Sequence, residues 1–242
     1  MHSQTAPRSF QTTRWSLVQR ANGAADAEAL QALAVLCDSY WYPIYAYIRR
    51  AGRSAHDAED LTQGFFARLL EKGTLASADP AKGKLRTFLL TCVRNYLHNE
   101  HERAMAERRG AHLLTSFQGD WAEERYATEP VDEVTPDRLY QRRWALTLLE
   151  FTLQLLGQEY TADGRTELFE ALRPTLGFTA DPGQDYEQIA TRLGMQVGTV
   201  RSNVFRLRQR WREILFEQVS LTLADPTSDE IKAELSELLG CV

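Results

Sequence analysis

The chain has 242 residues, 43% hydrophobic and 25% charged, with 28 Lys+Arg against 33 Asp+Glu for a net charge of −5. That composition excludes wholesale disorder, and the negative balance argues against an indiscriminate nucleic-acid binder. No apolar run reaches the roughly 18 residues of a membrane span, the first twenty residues hold no apolar signal core, and three dispersed cysteines (Cys37, Cys92, Cys241) form neither a disulfide framework nor a zinc cluster, so a soluble cytoplasmic protein is expected.

Helical spacing dominates the apolar pattern and sustained alternation is rare, which predicts an all-α fold. After an N-terminal extension, residues 1–25, the positions Leu30, Leu33, Ala34, Cys37, Tyr40, Trp41, Ile44 and Ile48 recur at helical steps from Asp26 to Arg50. Pro43 should kink or restart this helix, because it has no amide to donate. Ser54-Ala55-His56-Asp57 reads as a capping box that opens a second helix to about Glu71. Its apolar stripe is Ala58, Leu61, Phe65 and Leu69, while Asp57, Asp60, Gln63 and Gly64 lie off it. Gly73, Pro80 and Gly83 then punctuate a loop. A third helix follows from about Leu85 to Arg109, with Leu89, Val93, Tyr96 and Leu97 inward. Arg94, Asn95, His98 and Glu102 share its outer face, and Asn99 and Arg103 lie toward the edge.

Charge is unevenly placed. Ala81 to His112 holds seven basic and three acidic residues, net +4, and Gln188 to Arg212 holds six arginines and no acid. Between these islands, Gly119 to Asp137 carries seven acids against Arg125. Residues 113–135 therefore read as an acidic linker between two helical domains, 26–112 and 136–221. Thr135-Pro136 marks the start of the second domain, since threonine caps a helix and proline suits its first position. Helices are expected over Asp137 to Gln158 and Thr166 to Leu172, and two more reach about Leu221. Residues 222–242 form an acidic tail, with one short amphipathic helix carried by Ile231, Leu235 and Leu238.

Asp185 to Met195 reads as a short helix followed by a glycine-bearing turn, and a second helix begins near Val197, which is helix-turn-helix grammar. Asp185 can cap the first helix, and Gly194 suits the positive φ of the turn. At 100° per residue, Val197, Val200, Val204, Leu207, Trp211 and Ile214 fall on one side of the second helix. Ser202, Phe205, Arg206 and Gln209 fall on the other, flanked by Arg201 and Arg212. An arginine-rich face alone is usually a solvated one. An outward phenylalanine among arginines is better explained by a thymine methyl as partner.

The stretch YEQIATRLGMQVGTVRSNVFRLRQRW resembles region 4 of bacterial RNA polymerase sigma factors, in particular the extracytoplasmic-function type. The resemblance implies that Arg201, Ser202, Phe205 and Arg206 read the −35 element. Two departures stand out: Gln196 replaces a customary serine or threonine cap, and Arg165 to Gln184 is longer than the family's compact run. DAEDLTQGFF, from Asp57 to Phe66, is similar to region 2.2, which implies that Asp57, Glu59, Asp60 and Gln63 dock on core polymerase. KLRTFLLTCVRNYLHNEHERAMAERR resembles regions 2.3 and 2.4, which capture and melt the −10 element. By that resemblance Lys82, Lys84, Arg94, Asn95, His98, Asn99 and Arg103 face DNA, with Ala78 to Lys84 as the base-capturing loop.

The partners so implied are core RNA polymerase and promoter DNA, with an anti-sigma protein as an optional third, and a monomer is expected when the chain is free. No cofactor or metal is expected, and no catalytic residue. His98-Asn99-Glu100-His101-Glu102 matches neither zinc-protease pattern, and Gly83-Lys84 lacks the first glycine of a phosphate loop. Two other classes stay open on the sequence. One is a stand-alone helix-turn-helix regulator and the other is a sigma-like adaptor without promoter binding of its own.

Overall fold

The computed structural model describes residues 27–71, 73–79, 83–107, 120–129, 135–176, 186–223 and 225–241. The N-terminal extension, Lys82 and Asp185 lie outside these residues. The described chain is helical and without strands: α1 (Ala27–Arg50), α2 (Ala55–Glu71), α3 (Leu85–Glu107), α4 (Asp120–Ala127), α5 (Pro136–Ala162), α6 (Thr166–Leu172), α7 (Tyr186–Leu193), α8 (Val197–Ser220) and α9 (Ser228–Leu239), with short 3-10 turns at Thr74–Ser77 and Arg173–Leu176. None of these helices is long and apolar enough to cross a membrane.

Two compact units divide the chain: Met1–Thr147 together with Ser220–Val242, and Leu148–Val219. In the first, Tyr40, Ile44 and Ile48 of α1 are buried, as are Ala58, Phe65 and Leu69 of α2 and Leu89 and Val93 of α3. α1 runs unbroken through Pro43 rather than restarting there. Of the capping box read at Ser54, the serine half forms: the Asp57 amide donates to the serine hydroxyl at 3.1 Å, and that hydroxyl donates to the Asp57 carboxylate at 2.8 Å. Gly64 lets α3 come close, because a Cβ at that position would lie 2.5 Å from the Tyr96 hydroxyl oxygen. Tyr96 in turn meets Phe65 edge-on, with ring centroids 5.8 Å apart.

Three features depart from the expected domain plan. The division between units falls inside α5 rather than ahead of Pro136. The start of α5 belongs to the first core: the Tyr140 hydroxyl donates to the Arg86 carbonyl at 2.9 Å, and Trp144 lies 6.3 Å from Tyr40 by ring centroids. Secondly, the acidic linker contains α4, which docks on α1. There the Arg49 guanidinium donates to Glu123 at 2.7 and 2.9 Å, Tyr45 donates to the same carboxylate at 2.6 Å, and Trp121 stands 5.2 Å from Trp41. Glu129, buried beyond the end of α4, accepts from the Tyr42 hydroxyl at 2.9 Å and pairs with Arg143. Thirdly, the tail helix α9 belongs to the first unit, with Ile231 and Leu238 buried. Its start is fixed by a complete capping box between Thr227 and Glu230.

In the second unit, Leu156, Phe169, Leu172, Val200, Val204 and Leu207 are buried. The Trp211 indole donates to the Thr152 hydroxyl at 3.0 Å inside this core. Gly194 turns the chain between α7 and α8 with φ +63°, and the Met195 amide donates back to the Ala190 carbonyl at 2.9 Å. These contacts are the helix-turn-helix geometry that the sequence predicts.

Candidate nucleic-acid interface

In the second unit, α8 separates its two faces as the periodicity requires. Val200, Val204, Leu207, Trp211 and Ile214 are buried, and Leu215 and Val219 extend the row. Arg201, Ser202, Phe205, Arg206, Gln209 and Arg212 are exposed, with Phe205 67% accessible. The five arginines of α8 are not equivalent. Arg210 clamps Glu159 through two hydrogen bonds of 2.7 and 2.8 Å and also reaches Glu213, and Arg208 donates to the Thr175 carbonyl at 2.9 Å. These two hold α8 against its neighbours. Arg201 and Arg206 make no ion pair among the described residues and project beside Phe205. The surviving outward group is therefore Arg201, Ser202, Phe205 and Arg206: two cations, a hydroxyl and an aromatic on successive turns. Such a set can bond base edges or phosphates while the ring meets a methyl.

On α2, Asp57 and Gln63 are exposed and Asp60 is half-buried, with its carboxylate 3.6 Å from His56. Asp57 also accepts from the Ser54 hydroxyl at 2.8 Å, so its charge helps to fix the helix start. Glu59 departs from the expected outer face. It is 8% exposed, and the buried row is Ala58, Glu59, Thr62, Phe65, Phe66 and Leu69. Glu59 precedes Phe66 by seven residues, two turns along the same flank, and that alignment turns it inward. Gln63 donates to it at 3.4 Å.

On α3, Leu89 and Val93 are buried, Tyr96 and Leu97 are half-buried, and Arg94, Asn95, His98, Asn99 and Arg103 are exposed. Asn95 and Asn99 line a cleft of about 200 Å³ between α2, the Thr74–Ser77 turn and α3, together with Cys92, Tyr96 and Arg68. Burial pushes the Tyr96 phenol up to about 12, so it stays a neutral hydrogen-bonding group there. Sequence reasoning listed the two asparagines but not the cleft, because Arg68 and Thr74 reach it from elements distant in the chain.

The cations of this face are mostly engaged within the first unit. Lys84 lies between Glu234 and Glu237 of α9, 2.6 Å from the latter. Arg94 donates to Asp137 at 3.2 Å, Arg103 stands 3.7 Å from Glu100, and His98 stands 3.4 Å from Glu102. Arg86, which the sequence reading did not single out, is 3% exposed and bonds Glu237 and Gln141 at 2.7 and 2.8 Å while pairing with Glu234.

Residues 38–107 match the family model for sigma-70 region 2, a span that takes in the second half of α1 and all of α2 and α3. Over 179 residues the chain is 27% identical to the ECF RNA polymerase sigma factor SigE of Mycolicibacterium smegmatis. The match covers 74% of this chain and 60% of that protein's length.

Proposed function

We propose that this chain, which belongs to the sigma-70 family and to its extracytoplasmic-function group, binds core RNA polymerase and directs it to promoters, where it reads the −35 element and opens the −10 element. A sigma factor is a non-enzymatic initiation factor, so the chemistry of transcription stays with the polymerase. The observation that carries the reading is the pairing of a region 2 match with an exposed helix face: residues 38–107 on one unit, and on the other Phe205 between two arginines that make no ion pair among the described residues.

In this reading Asp57, Asp60 and Gln63 of α2 meet the polymerase, and Glu59 supports them from within by accepting from Gln63. Arg206 and Arg201 bond base edges or phosphates at −35, and Phe205 packs on a thymine methyl. At −10, strand opening costs stacking and pairing energy. Extruding a base into a pocket and tracking the single strand with cations offset that cost. The cleft beside Asn95 and Asn99 suits this role: two amides offer donors and acceptors to a base edge, and Tyr96 offers an aromatic wall. A cytoplasmic monomer that some anti-sigma protein can hold inactive completes the proposal.

The test is promoter binding by holoenzyme assembled from bacterial core polymerase. Arg206→Ala should weaken it by about 1–3 kcal/mol if the side chain bonds a base, roughly 5- to 150-fold. Full binding by Arg206→Ala and Phe205→Ala together would remove α8 from the promoter interface. A chain that binds duplex DNA as a dimer without polymerase would be a stand-alone regulator instead.

A further inference from the structure

The tail helix α9 lies outside the region 2 match, yet it meets the start of α3 through charge. Ser228–Leu239 holds four acids against Lys232, and two of those acids, Glu234 and Glu237, converge on Lys84 and Arg86, about 150 residues away in sequence. The two carboxylates differ. Glu234 is buried with Arg86, whose guanidinium also lies 5.3 Å over the Trp144 ring, so this pair anchors the helix. Glu237 is half exposed: one oxygen accepts from Arg86 at 2.7 Å, and the other reaches Lys84, which is itself about one-third exposed. An exposed ion pair of that kind contributes about 0–1 kcal/mol, so it can be exchanged for another anion.

We propose that α9 is an intramolecular gate on the −10 face, with Glu237 occupying Lys84 in place of a DNA phosphate until single-stranded DNA displaces it. The inference rests on the reading of Lys84 as a strand contact. An ammonium has three donors and no acceptor, and two carboxylates already surround this one. One donor is left over, but a phosphate that approaches it meets the negative charge of Glu237 and binds fully only when that carboxylate moves aside. Asp137 acts in the same sense on Arg94, from the start of α5. The chain thus carries, outside region 2, acids that cover two of the cations of its own DNA face. Binding then exchanges a carboxylate for a phosphate at those positions, and less affinity is left for stray nucleic acid.

The gate is tested with the full chain and a random-sequence 30-nucleotide single strand, its affinity measured across a salt series. Glu237→Gln should bind roughly two- to fivefold tighter than wild type, the equivalent of one exposed ion pair. Its salt dependence should keep the wild-type slope, because the same Lys84–phosphate contact forms in both, whereas Lys84→Gln should flatten it by about 0.7 in logarithmic slope, the contribution of one phosphate contact to single-strand binding. Asp229→Asn makes the same charge change on the same helix at a side chain whose one ion pair among the described residues is with Lys232 at 3.0 Å, and should match wild type. Adding Lys84→Gln to Glu237→Gln should erase the gain. Glu237→Gln no tighter than Asp229→Asn, or a gain that survives loss of Lys84, overturns the gate. Lys84→Gln binding the strand as well as wild type, or no binding by any form at low salt, removes Lys84 from the DNA face and takes that part of the functional reading with it.

Discussion

Phe205 and Leu207 lie two residues apart on α8, and truncating each to alanine should have opposite consequences. Leu207 is 0% exposed, so Leu207→Ala removes buried methyls and leaves a cavity, costing about 2–5 kcal/mol of stability. Phe205 is 67% exposed, so only a third of its surface is withdrawn from water. Full burial of a phenylalanine stabilises by about 1.5–3 kcal/mol, and a third of that is about 0.5–1 kcal/mol. Phe205→Ala should therefore barely shift a urea unfolding midpoint. In promoter binding the order reverses. If the ring packs on a thymine methyl, its loss should cost about 1–3 kcal/mol, the usual cost of one mismatched base pair, and should concentrate on that base pair of the −35 element. Chemical denaturation of both variants, beside holoenzyme binding to a set of single-base −35 substitutions, measures the two quantities. If Phe205→Ala destabilised the protein as much as Leu207→Ala, the ring would be core. If it left binding unchanged at every base, the outward face would be solvated and no more.

Two further outcomes follow from the first unit. Gly64→Ala gains about 1 kcal/mol of helix propensity but drives a Cβ to 2.5 Å from the Tyr96 hydroxyl oxygen, and overpacking costs about 1–3 kcal/mol. Gly64→Ala should thus be less stable than Gly64→Ala combined with Tyr96→Phe, and equal midpoints for the two would show that α2 and α3 are not held by this approach. The Arg49 hydrogen bonds hold the Glu123 carboxyl below the ordinary glutamate range, with Tyr45 adding to the effect. A depressed folded-state value means stabilisation that is present above the unfolded glutamate pKa and lost as pH falls through the folded one. The melting-temperature gap between wild type and Glu123→Gln should be widest near neutrality and close on acidification through Glu123's own value. A gap that stays constant down to pH 3 would mean that Glu123 contributes nothing through its charge.

The two faces of α8 were legible because its buried row is local: Val200, Val204, Leu207, Trp211 and Ile214 repeat at helical steps against an exposed opposite face. The turn at Gly194 and the cap at Ser54 are also local chemistry, visible in a few residues. What the sequence left hidden is long-range pairing. α4 is eight residues long and docks through ion pairs and tilted ring contacts rather than an apolar stripe, so its segment read as linker. Glu59 was assigned to the outer face by the resemblance to region 2.2, and it is instead buried in one row with Ala58, Thr62 and Phe66. Arg208 and Arg210 were indistinguishable from Arg201 and Arg206 by composition. Only Glu159 and the Thr175 carbonyl, brought close by the fold, separate the structural arginines from the outward ones. Likewise, Ile231 and Leu238 marked the tail as an amphipathic helix, while its charge partners lie at the far end of the chain.

The most direct measurement is run-off transcription from a genomic fragment pool by core polymerase of the native host, with and without the full chain, beside the Asp60→Arg variant. Asp60 is half-buried and on the outer side of α2, where charge reversal leaves the core intact. Specific new transcripts with the wild-type chain, absent with Asp60→Arg although its helical content is unchanged, are the expected result. No transcript from any fragment, together with no retention of core polymerase by the wild-type chain, would contradict the account.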